Sequence, residues 1–254
     1  MFAPSCLFAQ KTEADIRARL VKKPLFLRGQ WGSDKLAFDD AGHVQGASGP
    51  TSFTLAGVEI GSVKLTSRGL VLDGQRMGLE FNKDVPKQVR LWNVTIKIQT
   101  PTDGDFTTAL DAIFTDSIAT LNLPLPWCWQ QYAHEHLLPA GTPFPAVQVG
   151  GTSTSGAAKD LRADRTSSMP RLTNQVEPEL SAAARALNYS GIVLINFVVE
   201  KDGIPSHIRV LHAAGLGLDE LAVVAVSRYT FQPAMENGKP VAMELNVEVN
   251  FQVR

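Results

Sequence analysis

The sequence predicts an α+β protein built in two parts. Short apolar/polar alternation broken by glycines runs through residues 53–98, and a helix–strand–strand–helix–strand succession fills 178–253. Between them, "GGTSTSGAAKDLRADRTSSM" has no apolar period. The N-terminal part, 11–149, is expected to be a mostly antiparallel β domain with one or two helices. The C-terminal part, 170–254, is expected to be an α-β-β-α-β domain, with a three-stranded antiparallel sheet and two helices on one face. Residues 150–169 are expected to be a flexible linker.

Composition narrows the function classes. With 24 basic and 25 acidic residues the net charge is −1, and no run of Lys and Arg overrides it, so no nucleic-acid or anionic-lipid partner is expected. A hydrophobic content of 44% with 19% charged residues suits a buried globular core. No stretch approaches the ~20 apolar residues of a membrane span. The opening "MFAPSCLFAQ" reads as the tail of a secretory signal peptide, a truncated remnant over 1–9 with Ala9 before the cut and the mature form beginning near Gln10. The alternative is a frayed, mildly apolar N-terminus. If Cys6 leaves with that segment, Cys128 has no partner, and no internal disulfide is expected.

In the β-rich block the alternating pairs are Phe53/Leu55, Val58/Ile60, Val63/Leu65, Leu70/Leu72, Leu79/Phe81, Val89/Leu91 and Val94/Ile96/Ile98. Glycines 57, 61, 69, 74 and 78 are expected to mark tight turns between them. From Asp105 the period becomes helical: Phe106, Leu110, Ile113, Phe114 and Ile118 share a face, and "LPLP" at 123–126 ends that helix. The predicted result is an antiparallel sheet, curled towards a barrel, packed on one or two helices.

This block offers little chemistry. His134 and His136 in "HEH" are two apart on an expected helix and face different ways, so they read as a solvated helix end and not as metal ligands. Trp127, Trp129 and Tyr132 read as core or lid aromatics. No metal or cofactor is expected, and no catalytic constellation points to an enzyme.

The C-terminal block is more explicit. "PELSAAARAL" (178–187) begins with Pro and continues with strong helix formers. "GIVLINFVVE" (191–200) alternates, turning Val193, Ile195, Phe197 and Val199 inward. "KDG" (201–203) is a turn, and "HIRVL" (207–211) is a second strand with Ile208 and Val210 inward. The second helix starts near Asp219 and Glu220, with Leu218, Leu221, Ala222, Ala225, Val226 and Tyr229 as its apolar stripe. After the "ENGKP" turn (236–240), "VAMELNVEVNFQV" alternates over its whole length. A strand from Val241 to Val253 would span roughly 43 Å at ~3.3 Å per residue.

"VEPELSAAARALNYSGIVLINFVVEKDGIPSHIRVL", "GLGLDELAVVAVSRYTFQPAMENGKPV" and "VEVNFQV" together resemble the TonB C-terminal domain. The specific elements are "PEL", Gly191, "DG" at 202–203, "LDELA", "YTFQPA" and "NGKPV". Two positions depart from the family pattern. Leu180-Ser181 stands in place of a Tyr-Pro pair, and Glu177 in place of the Gln that often precedes the leading proline. The resemblance implies a periplasmic, non-enzymatic protein-binding module related to energy transduction for transmembrane transport. Such domains take the short box peptide of an outer-membrane receptor as an added strand. A full energy transducer of that family also has a membrane anchor and a long Pro-rich spacer. Here a β-rich block and a short linker precede the domain, which favours an adaptor.

The expected partner is therefore a TonB-dependent receptor or another envelope protein's peptide, added along the terminal strand. The candidate contacts are Glu177, Pro178, Glu244, Asn246, Glu248 and Asn250. The same alternation would also suit an ordinary half-buried strand or a homodimer. A second functional reading places a small ligand or lipid in the β-rich block, with the TonB-like domain only docking it. A large apolar cavity there would favour that reading, and a filled core would favour the first.

Overall fold

The computed structural model describes residues 11–49, 51–118, 125–138 and 167–253. The expected signal-peptide remnant with Cys6, and the expected linker as far as residue 166, lie outside them. The chain divides into two compact units. One holds the described residues up to Ile118 together with Gly215–Gly217, and the other holds the rest from Leu125 onward.

The first unit opens with α1 (Glu13–Leu20), which sequence reasoning missed. Its start is a capping box: Asp15 N–H donates to Thr12 Oγ1 at 3.2 Å, and Thr12 N–H donates to Asp15 Oδ2 at 3.3 Å. Ile16 and Leu20 are buried from this helix, which packs on the strand Gly57–Thr66. The strands are β1 (Leu25–Leu27), β2 (Lys35–Phe38), β3 (Gly57–Thr66), β4 (Gly69–Asn82), β5 (Val85–Gln99) and, after α2 (Thr107–Ile113), β6 (Phe114–Thr115). They form a six-stranded sheet in the order β2-β5-β4-β3-β1-β6. Every pairing is antiparallel except β2 with β5. The order ends at β2 and β6, so the sheet is open and not a barrel.

The alternating pairs thus fuse into three long strands, and Phe53–Leu55 is a 3-10 turn. Most of the glycines lie within strands instead of between them. A Cβ on Gly74 would meet the carbonyl oxygen of Glu59 at 2.3 Å, so this residue lets two strands pass closely. The expected long helix is shorter: Phe114 is buried from β6, opposite Leu27. Phe38, Leu72, Ile96, Ile98, Leu110 and Ile113, with Ile16 and Leu20, belong to one hydrophobic core, each contributing about 1.5–3 kcal/mol by burial. Arg76 is 1% exposed, and its Nη2 donates to the carbonyls of Trp31 (2.9 Å) and Ser33 (2.7 Å). Burial pulls its pKa down to about 10, and Asp34 opposes the shift, so it stays charged at neutral pH and pins the 31–33 segment to β4.

The second unit has the expected order with additions. α4 (Ala182–Ala186) starts at the N-cap Ser181, whose Oγ accepts from Ala184 N–H at 3.0 Å, so "PEL" precedes the helix. β9 (Gly191–Val199), β10 (Pro205–His212) and β14 (Met243–Phe251) form the antiparallel sheet in the order β10-β9-β14. Val193, Ile195, Phe197, Val199, Ile208 and Val210 are buried as the alternation predicts. α5 (Leu218–Val226) packs on β9 and β10. It buries Leu218, Ala222, Ala225 and Val226, and Tyr229 follows, buried as well.

Local chemistry explains the turns. Gly203 (φ +84°) closes the β9–β10 hairpin, and a Cβ there would meet Phe231 O at 2.0 Å. The Phe231 ring in turn lies 5.6 Å from that of Phe197. β11 (Thr230–Gln232) pairs with β8 (Arg171–Asn174), while β12 (Ala234–Glu236) pairs with β13 (Lys239–Val241) and with β7 (Ser167–Ser168). The last residues of the expected linker are therefore strand. Asn237 and Gly238, both at positive φ, make the two-residue turn between β12 and β13. The terminal strand divides at Ala242. Val241 pairs with Ala234 in β13, and β14 holds nine residues opposite β9. Alternation carries no information about which partner a residue pairs with, so it runs unbroken across the division.

The second unit also contains α3 (Trp127–His136), which sequence reasoning had placed with the β-rich block. It buries Cys128, Trp129, Tyr132 and Ala133, while Trp127 is exposed. Trp129 Nε1 donates to Glu220 Oε1 at 2.8 Å, tying α3 to α5. The Cys128 thiol is pushed up to about 12 from an ordinary value of 9.0, mainly by burial and then by the charge of Glu220. A pKa raised in the folded state contributes stability below the unfolded value, and that contribution is lost as pH climbs through the folded one. Native protein at pH 8 should therefore resist a thiol reagent at Cys128 and label fully in denaturant, with Cys128→Ser as the blank. Rapid labelling of native Cys128 would contradict the buried placement of α3.

Candidate functional site

β14 is an edge strand, and its two sides differ. Along it, Glu244, Asn246, Glu248 and Asn250 are exposed, while Val249 and Phe251 are buried and Met243, Leu245 and Val247 half-buried. Four of the sequence-predicted residues thus share one face of one strand, as period two requires. Their pairing partners on β9 are Val198, Asn196, Leu194 and Ile192.

The direction of the main chain follows from the register. Glu200 N–H donates to Ile204 O at 3.0 Å, across the β9–β10 hairpin. In a strand, a residue's N–H and C=O point to the same side and the sides alternate. The even-numbered residues of β9 therefore face β10, and the odd-numbered ones face β14. β9 and β14 pair odd with odd and even with even, without a register shift. The odd residues of β14 thus carry the ladder, and the N–H and C=O of Glu244, Asn246, Glu248 and Asn250 point away from the sheet. Val253 N–H, two residues past Phe251, donates to Ser190 Oγ on the β9 side at 3.2 Å, in keeping with this parity.

A polar network crosses the same face. Arg209 Nε donates to Asn196 Oδ1 at 2.7 Å, Asn196 Nδ2 donates to Asn246 Oδ1 at 2.7 Å, and Arg209 Nη2 donates to Glu244 Oε1 at 2.6 Å. Asn196 is only 6% exposed, so its two bonds hold β9 between β10 and β14. A one-residue slip of β14 would break them and turn its apolar residues outward. Sequence reasoning did not single out Asn196 or Arg209. A polar residue within the "VLINFVV" run was the available signal.

The other edge of the sheet is accompanied. α3 packs along β10, whereas α5 lies across β9 and β10. The substantial strand contact of α3 is with the edge strand β10, which places the helix on the β10 side of the sheet. The substantial contacts of β14 are with β9. Glu177, exposed, and Pro178, half-buried, lie in the irregular segment between β8 and α4 and take no part in the β14–β9 ladder. Among the described residues no three His, Cys, Asp or Glu gather as metal ligands. His134 and His136 are exposed in the last turn of α3.

Comparison with known proteins agrees with the resemblance read from the motifs. The family described as "Gram-negative bacterial TonB protein C-terminal" matches residues 176–253. A solution NMR structure of the Pseudomonas aeruginosa TonB CTD is similar at 23% identity, covering 34% of this chain and 89% of that one, with a TM-score of 0.30. No curated protein matches the chain. The β-rich block has no recognised family.

The network makes a graded prediction. Asn196→Ala should lower the unfolding free energy by about 1–2 kcal/mol, because both strand-bridging bonds go. Glu244→Ala should cost under about 1 kcal/mol, since it removes only the bond from Arg209, which is largely screened by solvent. Urea denaturation measures both, and a larger loss for Glu244→Ala would place the register lock on the ion pair instead.

Proposed function

We propose that the C-terminal unit is a periplasmic, non-enzymatic adaptor that captures an extended peptide from an outer-membrane receptor or another envelope protein by strand addition along β14. The observation that carries this reading is the open row of main-chain donors and acceptors on Glu244, Asn246, Glu248 and Asn250. Each hydrogen bond made there contributes about 0.5–1.5 kcal/mol net, so several in series bind a peptide with little help from side chains. Side chains then select register. Glu248 and Asn250 stand beside the partner strand, while Glu244 and Asn246 are already engaged by Arg209 and Asn196. The family match over 176–253 supports the periplasmic setting and the link to energy transduction for transport. The apolar core that runs through the β-rich unit, buried from both helices and the sheet, also supports this reading over a lipid held inside that block.

A photo-crosslinking side chain at Asn250 in native envelopes, with Val224 on α5 as the control position, should capture a partner from Asn250 alone. In that background Asn246→Pro or Glu248→Pro deletes an outward N–H while sparing the ladder, and should abolish most capture without unfolding the domain. Asn246→Ala and Glu248→Ala should retain capture. Val247→Pro removes a donor facing Ile195 and should instead destabilise the fold. A folded Asn246→Pro variant that captures as well as the parent would rule out strand addition at this edge.

A further inference from the structure

We propose that the β-rich unit carries, on the outer face of its sheet, a binding site for a small organic anion with a short apolar body. Ala37 pairs with Lys97, Lys97 with Val71, and Val71 with Lys64, so one row crosses four strands. Paired residues share a face, and the adjacent row, Phe38, Ile98 and Leu70, is buried in the core. Lys97 and Lys64 therefore stand on the opposite, outer face, with Ala37 and Val71 between and beside them. Lys35 lies on that face one row away, opposite Thr95, and Arg68 sits at the β3–β4 turn.

A groove of about 410 Å³ opens there, lined by Arg68, Lys97, Gln45, Gln99, Ala37 and Val71 among others. That volume falls within the ~300–1,000 Å³ of small-ligand sites. Among the described residues, none of Lys35, Lys64, Arg68 and Lys97 takes part in an ion pair. Of the acids near that face, Asp73 accepts from Thr95 Oγ1 at 2.7 Å and Glu59, opposite Gln75, accepts from Arg90 Nη2 at 2.9 Å. Lys64 stands near Glu13, whose carboxyl pKa is lowered first by the Leu65 N–H and Arg17 and further by Lys64. The charged residues lining the groove itself are Arg68 and Lys97, which make a local positive field over an apolar floor. A phosphate, sulfonate or carboxylate head fits between Arg68 and Lys97, with the two glutamine amides as further donors. A short apolar body then covers Ala37 and Val71. This site is independent of the β14 edge.

The test is a fluorescence titration of the full chain with anilinonaphthalene sulfonate at low salt, with inorganic phosphate as competitor. Saturable binding should weaken roughly tenfold or more in the Arg68→Glu/Lys97→Glu double variant, persist in Arg68→Lys/Lys97→Arg, and be displaced by phosphate. Both side chains are exposed, so the thermal transition should not move. If it does, Lys97→Ala, which removes a cation without adding an acid, decides in the same way. Parent-like affinity in the charge-reversed variant, or in Lys97→Ala where that one decides, would overturn the proposal.

Discussion

The register of β14 against β9 is the constraint on which the second unit depends. Pairing odd residues with odd commits Val249 and Phe251 to the core and spends the main chain of the odd positions on the ladder. What remains is a polar face and an outward main chain, both belonging to the same even-numbered residues. Side-chain period and main-chain period coincide in a strand, so one choice of register sets both. Asn196, nearly buried and bonded to both neighbours, opposes any slip. A mere packing role for β14 would be met as well by a strand covered on both sides.

The two edges of that sheet are treated differently. β10 is flanked by α3, which is anchored by the buried Trp129 and Tyr132 and by the Trp129–Glu220 hydrogen bond. An unprotected edge invites self-association, and proteins commonly cover such edges with helices or loops. Here the cover lies at one edge, and it comes from residues outside the family-matched 176–253. On the proposed reading, strand addition takes the opposite edge, β14.

Much of this was legible in the sequence, and the exceptions have physical causes. The inward residues of β9, β10 and α5 follow from periods of two and 3.6, which burial enforces directly. The exposed quartet of β14 follows from the same rule. The split at Ala242 could not be read, because alternation is blind to partner identity. α3 was recognisable as a helix, but its unit was set by tertiary contacts of Trp129 and Tyr132 that no local pattern encodes. α1 was legible and overlooked: Thr12 with Asp15 three residues on is a start signal. In the β-rich block, glycine-punctuated alternation suggests short strands with turns between them, whereas glycines 57, 61, 69, 74 and 78 lie within long strands. Gly74 shows the other use of glycine, close passage of paired strands. Asn196 and Arg209 lie on different strands, and their meeting is a product of register alone.

The central claim is most directly tested by amide hydrogen exchange read residue by residue along β14. In the free protein, the amides of Val247 and Val249 should exchange slowly, and those of Glu248 and Asn250 at rates close to an unprotected chain. With a captured envelope partner bound, Glu248 and Asn250 should become protected while Val247 and Val249 change little. Protection of the even-numbered amides in the free monomer, or their continued rapid exchange in the complex, would contradict strand addition at β14.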